Sequence, residues 1–184
     1  MTEPYWWYVL YVRSNSESRV IKNMTQAFDN KGSAYELEAF CPQTEFFYRR
    51  KGHSGDVYRT RPMFPSYVFI ETTMPAEEFT REFYDVIYHS TDIIRLLRNG
   101  GSKDIALSID ERRRFEYMLK GRRCVEHSEG YIVGDKITVT GGPLVGMEGC
   151  IKRINRHNRL AVIEVDMFND KITATVALEI VSKE

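Results

Sequence analysis

The side chains with most chemistry to offer are arginines set beside aromatic rings. Arg49, Arg50 and Lys51 directly follow Tyr48, and Arg59 and Arg61 stand a few residues further on. Arg112, Arg113 and Arg114 form an unbroken run, with Lys120, Arg122 and Arg123 close behind. Guanidinium groups contact phosphate oxygens and aromatic rings stack on unpaired bases, so this pairing of residue types suits folded RNA. The competing reading is that each run is a solvated face, balanced by acids such as Glu111 and Glu116. Global charge does not choose between them: 26 basic residues are matched by 26 acidic ones, so only local clusters could carry nucleic-acid binding.

Signatures of catalysis are missing. There is no phosphate-cradling glycine loop ending in Lys-Ser/Thr, no dinucleotide fingerprint and no G-x-S-x-G elbow. His53, His89, His127 and His157 are scattered. Cys41, Cys124 and Cys150 form no Cys-x-x-Cys pair, which argues against a zinc site or a disulfide frame. A binding protein is expected, not an enzyme, with no metal, cofactor or catalytic residue. No apolar stretch approaches the ~20 residues that span a bilayer. The first residues lack the features of a secretory signal, so a cytoplasmic protein is expected.

The elements that must position these side chains are legible from periodicity. Trp6–Val12 is aromatic and β-branched, a strand by propensity. Ser14 and Glu17 have capping-box spacing, and Val20, Met24, Ala27 and Phe28 follow at helical intervals, predicting a helix over 16–29. Residues 38–48 read as extended around Pro42, 49–60 as a hairpin tip, and Tyr67–Glu71 as a strand. Pro75 opens a second helix, 93–97 is a short strand, and Ser108 with Glu111 forms another capping box for a helix to about 119. Residues 121–130 are polar and flanked by glycines, a linker. Strands are then expected at 136–140, 148–154, 160–166 and 171–176 in a five-stranded barrel, cornered by Gly141-Gly142-Pro143.

Two of these strands are apolar on both faces. Trp7, Val9 and Tyr11 alternate with Trp6, Tyr8 and Leu10; Tyr67 and Phe69 alternate with Val68 and Ile70. If helices cover only one side, the other is an exposed aromatic patch for a partner. If helices or a second domain cover both sides, the patch is ordinary core. Both readings stay open on pattern alone.

Trp7-Tyr8-Val9-Leu10-Tyr11, then Ser14 to Glu17, then Phe40-Cys41-Pro42, then Met63-Phe64-Pro65-Ser66-Tyr67-Val68-Phe69 resemble the N-terminal domain of NusG-type transcription elongation factors. The run Gly134 to Gly149 resembles the KOW motif that closes such proteins. The resemblance spans nearly the whole chain in order. It implies an α+β fold: a NusG-type N-terminal sandwich, an antiparallel sheet with flanking helices, over 1–120. A linker over 121–130 and a small all-β SH3-like KOW barrel over 131–184 would follow. It further implies that Trp7, Tyr11, Phe64, Tyr67 and Phe69 line a pocket for the clamp helices of RNA polymerase, with Pro65 shaping the turn. A buried aromatic covers about 150–250 Å². At roughly 25 cal/mol/Å², several such anchors give a gross gain above about 10 kcal/mol before association costs.

The family also implies a second partner for the barrel, ribosomal protein S10 or Rho, docked through Met167 and Phe168. Phe168 as barrel core is the alternative. The motif here reads Gly-Pro-Leu-Val-Gly-Met-Glu-Gly, without the aromatic residues of the general factor. It most resembles the LoaP branch, paralogues that promote antitermination in selected operons. That branch implies recruitment by a nascent RNA hairpin, with Arg49, Arg50, Lys51, Arg59, Arg61, Arg112, Arg113, Arg114, Arg122 and Arg123 as candidate RNA contacts. The alternative is a general elongation factor coupling polymerase to ribosome or Rho.

Overall fold

A computed structural model describes residues 5–48, 57–99 and 104–183. The chain falls into two compact units that interleave along the sequence. The first comprises Met1–Cys41, Pro65–Arg112 and Met167–Asn169; the second comprises Pro42–Phe64, Arg113–Asp166 and Asp170–Glu184.

In the first unit, β1 (Trp6–Val12), α1 (Glu17–Asp29) and β2 (Leu37–Phe40) precede β5 (Tyr67–Thr72), α2 (Ala76–Glu82), α3 (Tyr84–Tyr88) and β6 (Ile93–Leu96). The strands form one sheet in the order β2-β5-β1-β6, with every pairing antiparallel. Because side chains alternate along a strand, one face carries Tyr8, Leu10, Val12, Val68 and Ile70. These pack with Val20 and Met24 of α1, Phe79 of α2 and Ile87 of α3 in the main core. Tyr8 stacks on Phe79 at 4.2 Å, and its hydroxyl donates to the Met74 carbonyl at 2.8 Å, so its one polar atom is satisfied in the interior.

The start of α1 differs from expectation. Ser16, not Ser14, occupies the N-cap position and makes no side-chain cap bond. Asn15 has a φ of 64°, which breaks the Ser14-to-Glu17 spacing of a capping box. Glu17 instead accepts the Ser66 backbone N–H at 2.8 Å, tying α1 to the start of β5. Ser16 and Arg19 both donate to Asp92, and Arg19 holds the Asp92 carboxyl below the usual range.

The second unit contains two sheets. β3 (Gln43–Tyr48) pairs antiparallel with β4 (Val57–Pro62) and parallel with β7 (Cys124–Val125). β8 (Ser128–Val133), β9 (Lys136–Gly141), β10 (Ile151–Asn155), β11 (Leu160–Met167) and β12 (Asp170–Lys183) form the other, ordered β10-β11-β12-β8-β9. Residues 121–130, read as a linker, therefore include β7 and the opening of β8. β7 is only two residues long, too short to show a period, and β8 opens on Ser128 and Glu129, which give no apolar alternation. The stretch 148–150, expected in a strand, is a 3₁₀ turn. There Glu148 accepts the Val139 N–H at 3.1 Å and bends the chain back on β9.

α4 (Ile109–Leu119) begins with the expected capping box. Glu111 accepts from the Ser108 backbone N–H at 2.9 Å and its hydroxyl at 2.7 Å; the Glu111 N–H donates to Ser108 Oγ at 3.3 Å.

Candidate functional site

The aromatic face of β1 and β5 opposite the helices is built by register. Val9 pairs with Phe69 and Tyr11 with Tyr67. Trp7, Phe40 and Phe69 form a ring triangle with centroids 5.4, 6.2 and 5.8 Å apart. Trp7 is only 1% exposed and Phe69 is fully buried. Tyr11 and Tyr67 are half-buried, with rings 5.3 Å apart, and Arg95 stands 5.7 Å from the Tyr11 ring. Pro65 is exposed. Phe64 is buried in the second unit, edge-on to Phe115 at 5.8 Å.

This distribution changes the energetics inferred from sequence. The area of Trp7, Phe64 and Phe69 is already removed from water by folding, so it adds no further gain on docking. The accessible chemistry of the face lies at Tyr11, Pro65 and Tyr67.

The basic runs have different surroundings. Arg49, Arg50 and Lys51 lie outside the described residues. Arg59 is exposed on β4, and the Arg61 guanidinium sits 5.2 Å over the Phe46 ring. Arg112 donates to the Tyr5 carbonyl, Arg114 pairs with Asp166, and Arg122 with Glu126. Arg113 is exposed. The Arg123 carbonyl accepts from the Gln43 N–H at 2.9 Å, a backbone role. Glu111, expected to balance the arginine run, is engaged by Ser108 and by the Asn169 N–H at 3.2 Å. Asp166 and Glu126 pair with the runs instead, acids remote from or just beyond them in sequence.

Met167 and Phe168 are buried, at 2% and 6% exposure, and their turn groups with the first unit. Phe168 and Asn169 adopt φ values of 55° and 63° between β11 and β12. Two consecutive left-handed residues are what a tight type I′ hairpin requires, and a bulky residue rarely accepts that geometry.

Sequence reasoning passed over one further cluster. His127, which looked isolated, has its ring Nδ1 3.4 Å from Glu45 and its Nε2 3.7 Å from Glu129. It packs with Phe47 and Tyr58. The available signal was the Phe46-Phe47-Tyr48 run opposite Tyr58; nothing in the spacing of His127 disclosed its partners. Among the described residues, no group of three or more His, Cys, Asp or Glu side chains could hold a metal ion, and no helix is long and apolar enough to cross a membrane.

These features define a mixed α+β protein of two units. The family model described as NusG, transcription termination factor nusG, matches residues 5–116, more than half of the chain. The chain belongs to the NusG family. It is 23% identical over 166 residues to the transcription termination/antitermination protein NusG of Thermus thermophilus, covering 88% of this chain and 89% of that protein. The NusG of Streptomyces coelicolor is also 23% identical over 195 residues, covering 96% of this chain but 62% of that protein. A solved structure described as domain interaction in Thermotoga maritima NusG superimposes with a TM-score of 0.51 at 18% identity. It covers 95% of this chain and 94% of that one, and shows the shared fold.

Proposed function

We propose that this NusG-family chain is an elongation and antitermination factor that docks on the clamp helices of RNA polymerase and suppresses pausing and termination. The observation that carries the reading is the Tyr11–Tyr67 pair, held in register on β1 and β5 inside the region matched by the family model. Tyr11, Pro65 and Tyr67 form the contacting rim. Trp7 and Phe69 support it from within the sheet, and Phe64 leads the chain into Pro65. Two amphipathic rings with polar tips suit a contact that must be apolar yet soluble when empty.

The domain organisation we propose follows the family, an N-terminal domain over 1–120 and a KOW domain over 131–184 acting in the cytoplasm, with the joining residues 121–130 not free chain but paired in β7 and the start of β8. The KOW domain takes a second partner, ribosomal protein S10 or Rho, and contact through Met167 and Phe168 requires these two buried side chains to open. Recruitment to selected operons, as in the LoaP branch, comes through a nascent RNA hairpin. Arg59, Arg113, Arg114 and Arg122 are the exposed members of the described candidate contacts, Arg61 is half-buried, and the ion pairs of Arg114 and Arg122 open to receive phosphate.

Pull-down of core RNA polymerase, followed by run-off transcription through a terminator, tests the reading. Wild type retains polymerase and raises read-through. Tyr67→Ala loses both while keeping its circular-dichroism spectrum. Unchanged retention in a Tyr11→Ala, Tyr67→Ala double variant rejects the docking assignment.

A further inference from the structure

We propose that Phe47, Tyr58 and His127, braced by Arg159, form a stacking platform for one unpaired base of RNA. The proposal rests on the RNA-recruitment reading above and adds the side chains that would hold a base. Register places Phe47 opposite Tyr58, with rings 5.1 Å apart and tilted by 48°. His127 completes a triangle, 5.2 Å from Tyr58 and 5.8 Å from Phe47. The Arg159 guanidinium lies 4.8 Å over the Phe47 ring. Tyr58 is 47% exposed, and Phe47, His127 and Arg159 are each partly exposed. Four side chains from separated segments thus fix an accessible aromatic surface in advance, which lowers the ordering cost of binding.

The charges around the platform select a base over a phosphate. The His127 backbone N–H donates to Glu45 at 3.0 Å, and the His127 ring stands between Glu45 and Glu129. Arg159 is 3.5 Å from Glu179. Three carboxylates against one guanidinium make the cluster a poor phosphate site. Stacking needs π faces rather than net charge, and a carboxylate accepts hydrogen bonds from a base amino group. Alternation along β3 and β4 puts Phe46, Arg59 and Arg61 on the opposite face of the same ribbon. One face holds a base while the other offers guanidinium groups to the sugar-phosphate backbone.

The test uses the full chain and a labelled RNA stem-loop with a mixed-sequence unpaired loop, titrated by anisotropy at several salt concentrations. Tyr58→Phe retains wild-type affinity, and Tyr58→Leu loses about tenfold, the order expected for one stacked base. The salt slope stays unchanged in Tyr58→Leu, because no phosphate contact is removed; it falls in Arg59→Ala. Wild-type binding with unaltered affinity in Tyr58→Leu overturns the platform and leaves RNA recruitment standing. A reduced salt slope in Tyr58→Leu also overturns it, by making the site a phosphate contact. No binding of the stem-loop by wild type overturns both. Should Tyr58→Leu fail to fold, 2-aminopurine in the loop decides on the wild-type protein: its fluorescence is quenched on binding, and an unquenched bound signal sinks the proposal.

Discussion

Trp7 stands edge-on to Phe69, with ring centroids 6.2 Å apart and planes at 86°. The arrangement brings the positive edge of one ring to the negative face of the other. It also fixes what this face of the sheet can be. Trp7 is fully packed, so its first duty is to the fold, and the half-buried tyrosines beyond it are the accessible rings of the face.

Trp7→Ala therefore damages stability before it damages binding. Deleting a fully buried aromatic costs about 3–5 kcal/mol. Urea unfolding followed by circular dichroism should show the midpoint falling by that equivalent. An unshifted midpoint would mean that Trp7 is not packed as described.

Gly142→Ala should disrupt the second unit. Gly142 has a φ of 93°, and a Cβ there would lie 2.5 Å from the His127 carbonyl oxygen and 2.6 Å from Ser128 Cα. Backbone strain alone costs about 1–3 kcal/mol, and the clash is with main chain that cannot swing aside. Gly149→Ala, where a Cβ meets nothing within 4 Å, is the matched control. Thermal melts of the two variants should differ by several degrees, and equal melting temperatures would contradict the turn geometry.

Ser108→Ala removes the hydroxyl half of the α4 capping box and should cost about 1 kcal/mol. Glu111→Ala should cost more, since it strips partners from both Ser108 and the Asn169 N–H. Denaturant midpoints measure both, and reversal of that order would remove Glu111 from its bridging place.

Acid should destabilise the protein through named carboxylates. Arg19 lowers the Asp92 pKa and Arg114 lowers that of Asp166; Lys152 does the same for Glu164. A carboxylate depressed in the folded state contributes stability above its unfolded pKa, near 4 for these residues, and loses it as pH falls through the folded value. Stability should be flat from neutral pH down to about 5 and decline below about 4. Asp166→Asn should flatten part of that decline in a pH series of urea melts.

Cys41 should resist alkylation. Burial, with a smaller contribution from Glu17, pushes its thiol up to about 11, so little thiolate exists near neutral pH. Mass spectrometry after iodoacetamide treatment at pH 8 should find Cys41 unmodified in native protein and modified in urea. Rapid native labelling would show that the site is open.

Much of this protein was written locally. The strand propensity of Trp6–Val12, the helical spacing after Ser16 and the Ser108–Glu111 box depend on near neighbours, so they appeared in the chain and then in the structure. The glycine corner at Gly142 did too, because positive φ restricts residue type. Tertiary structure decided what those local rules leave open. It buried Trp7 and Phe69 yet kept Tyr11 and Tyr67 half-open, paired Arg114 with Asp166 across 52 residues, and brought His127 to Glu45 across 82. Burial and charge pairing are properties of distances in space, and a side chain's spacing along the chain carries no information about a partner that only folding delivers.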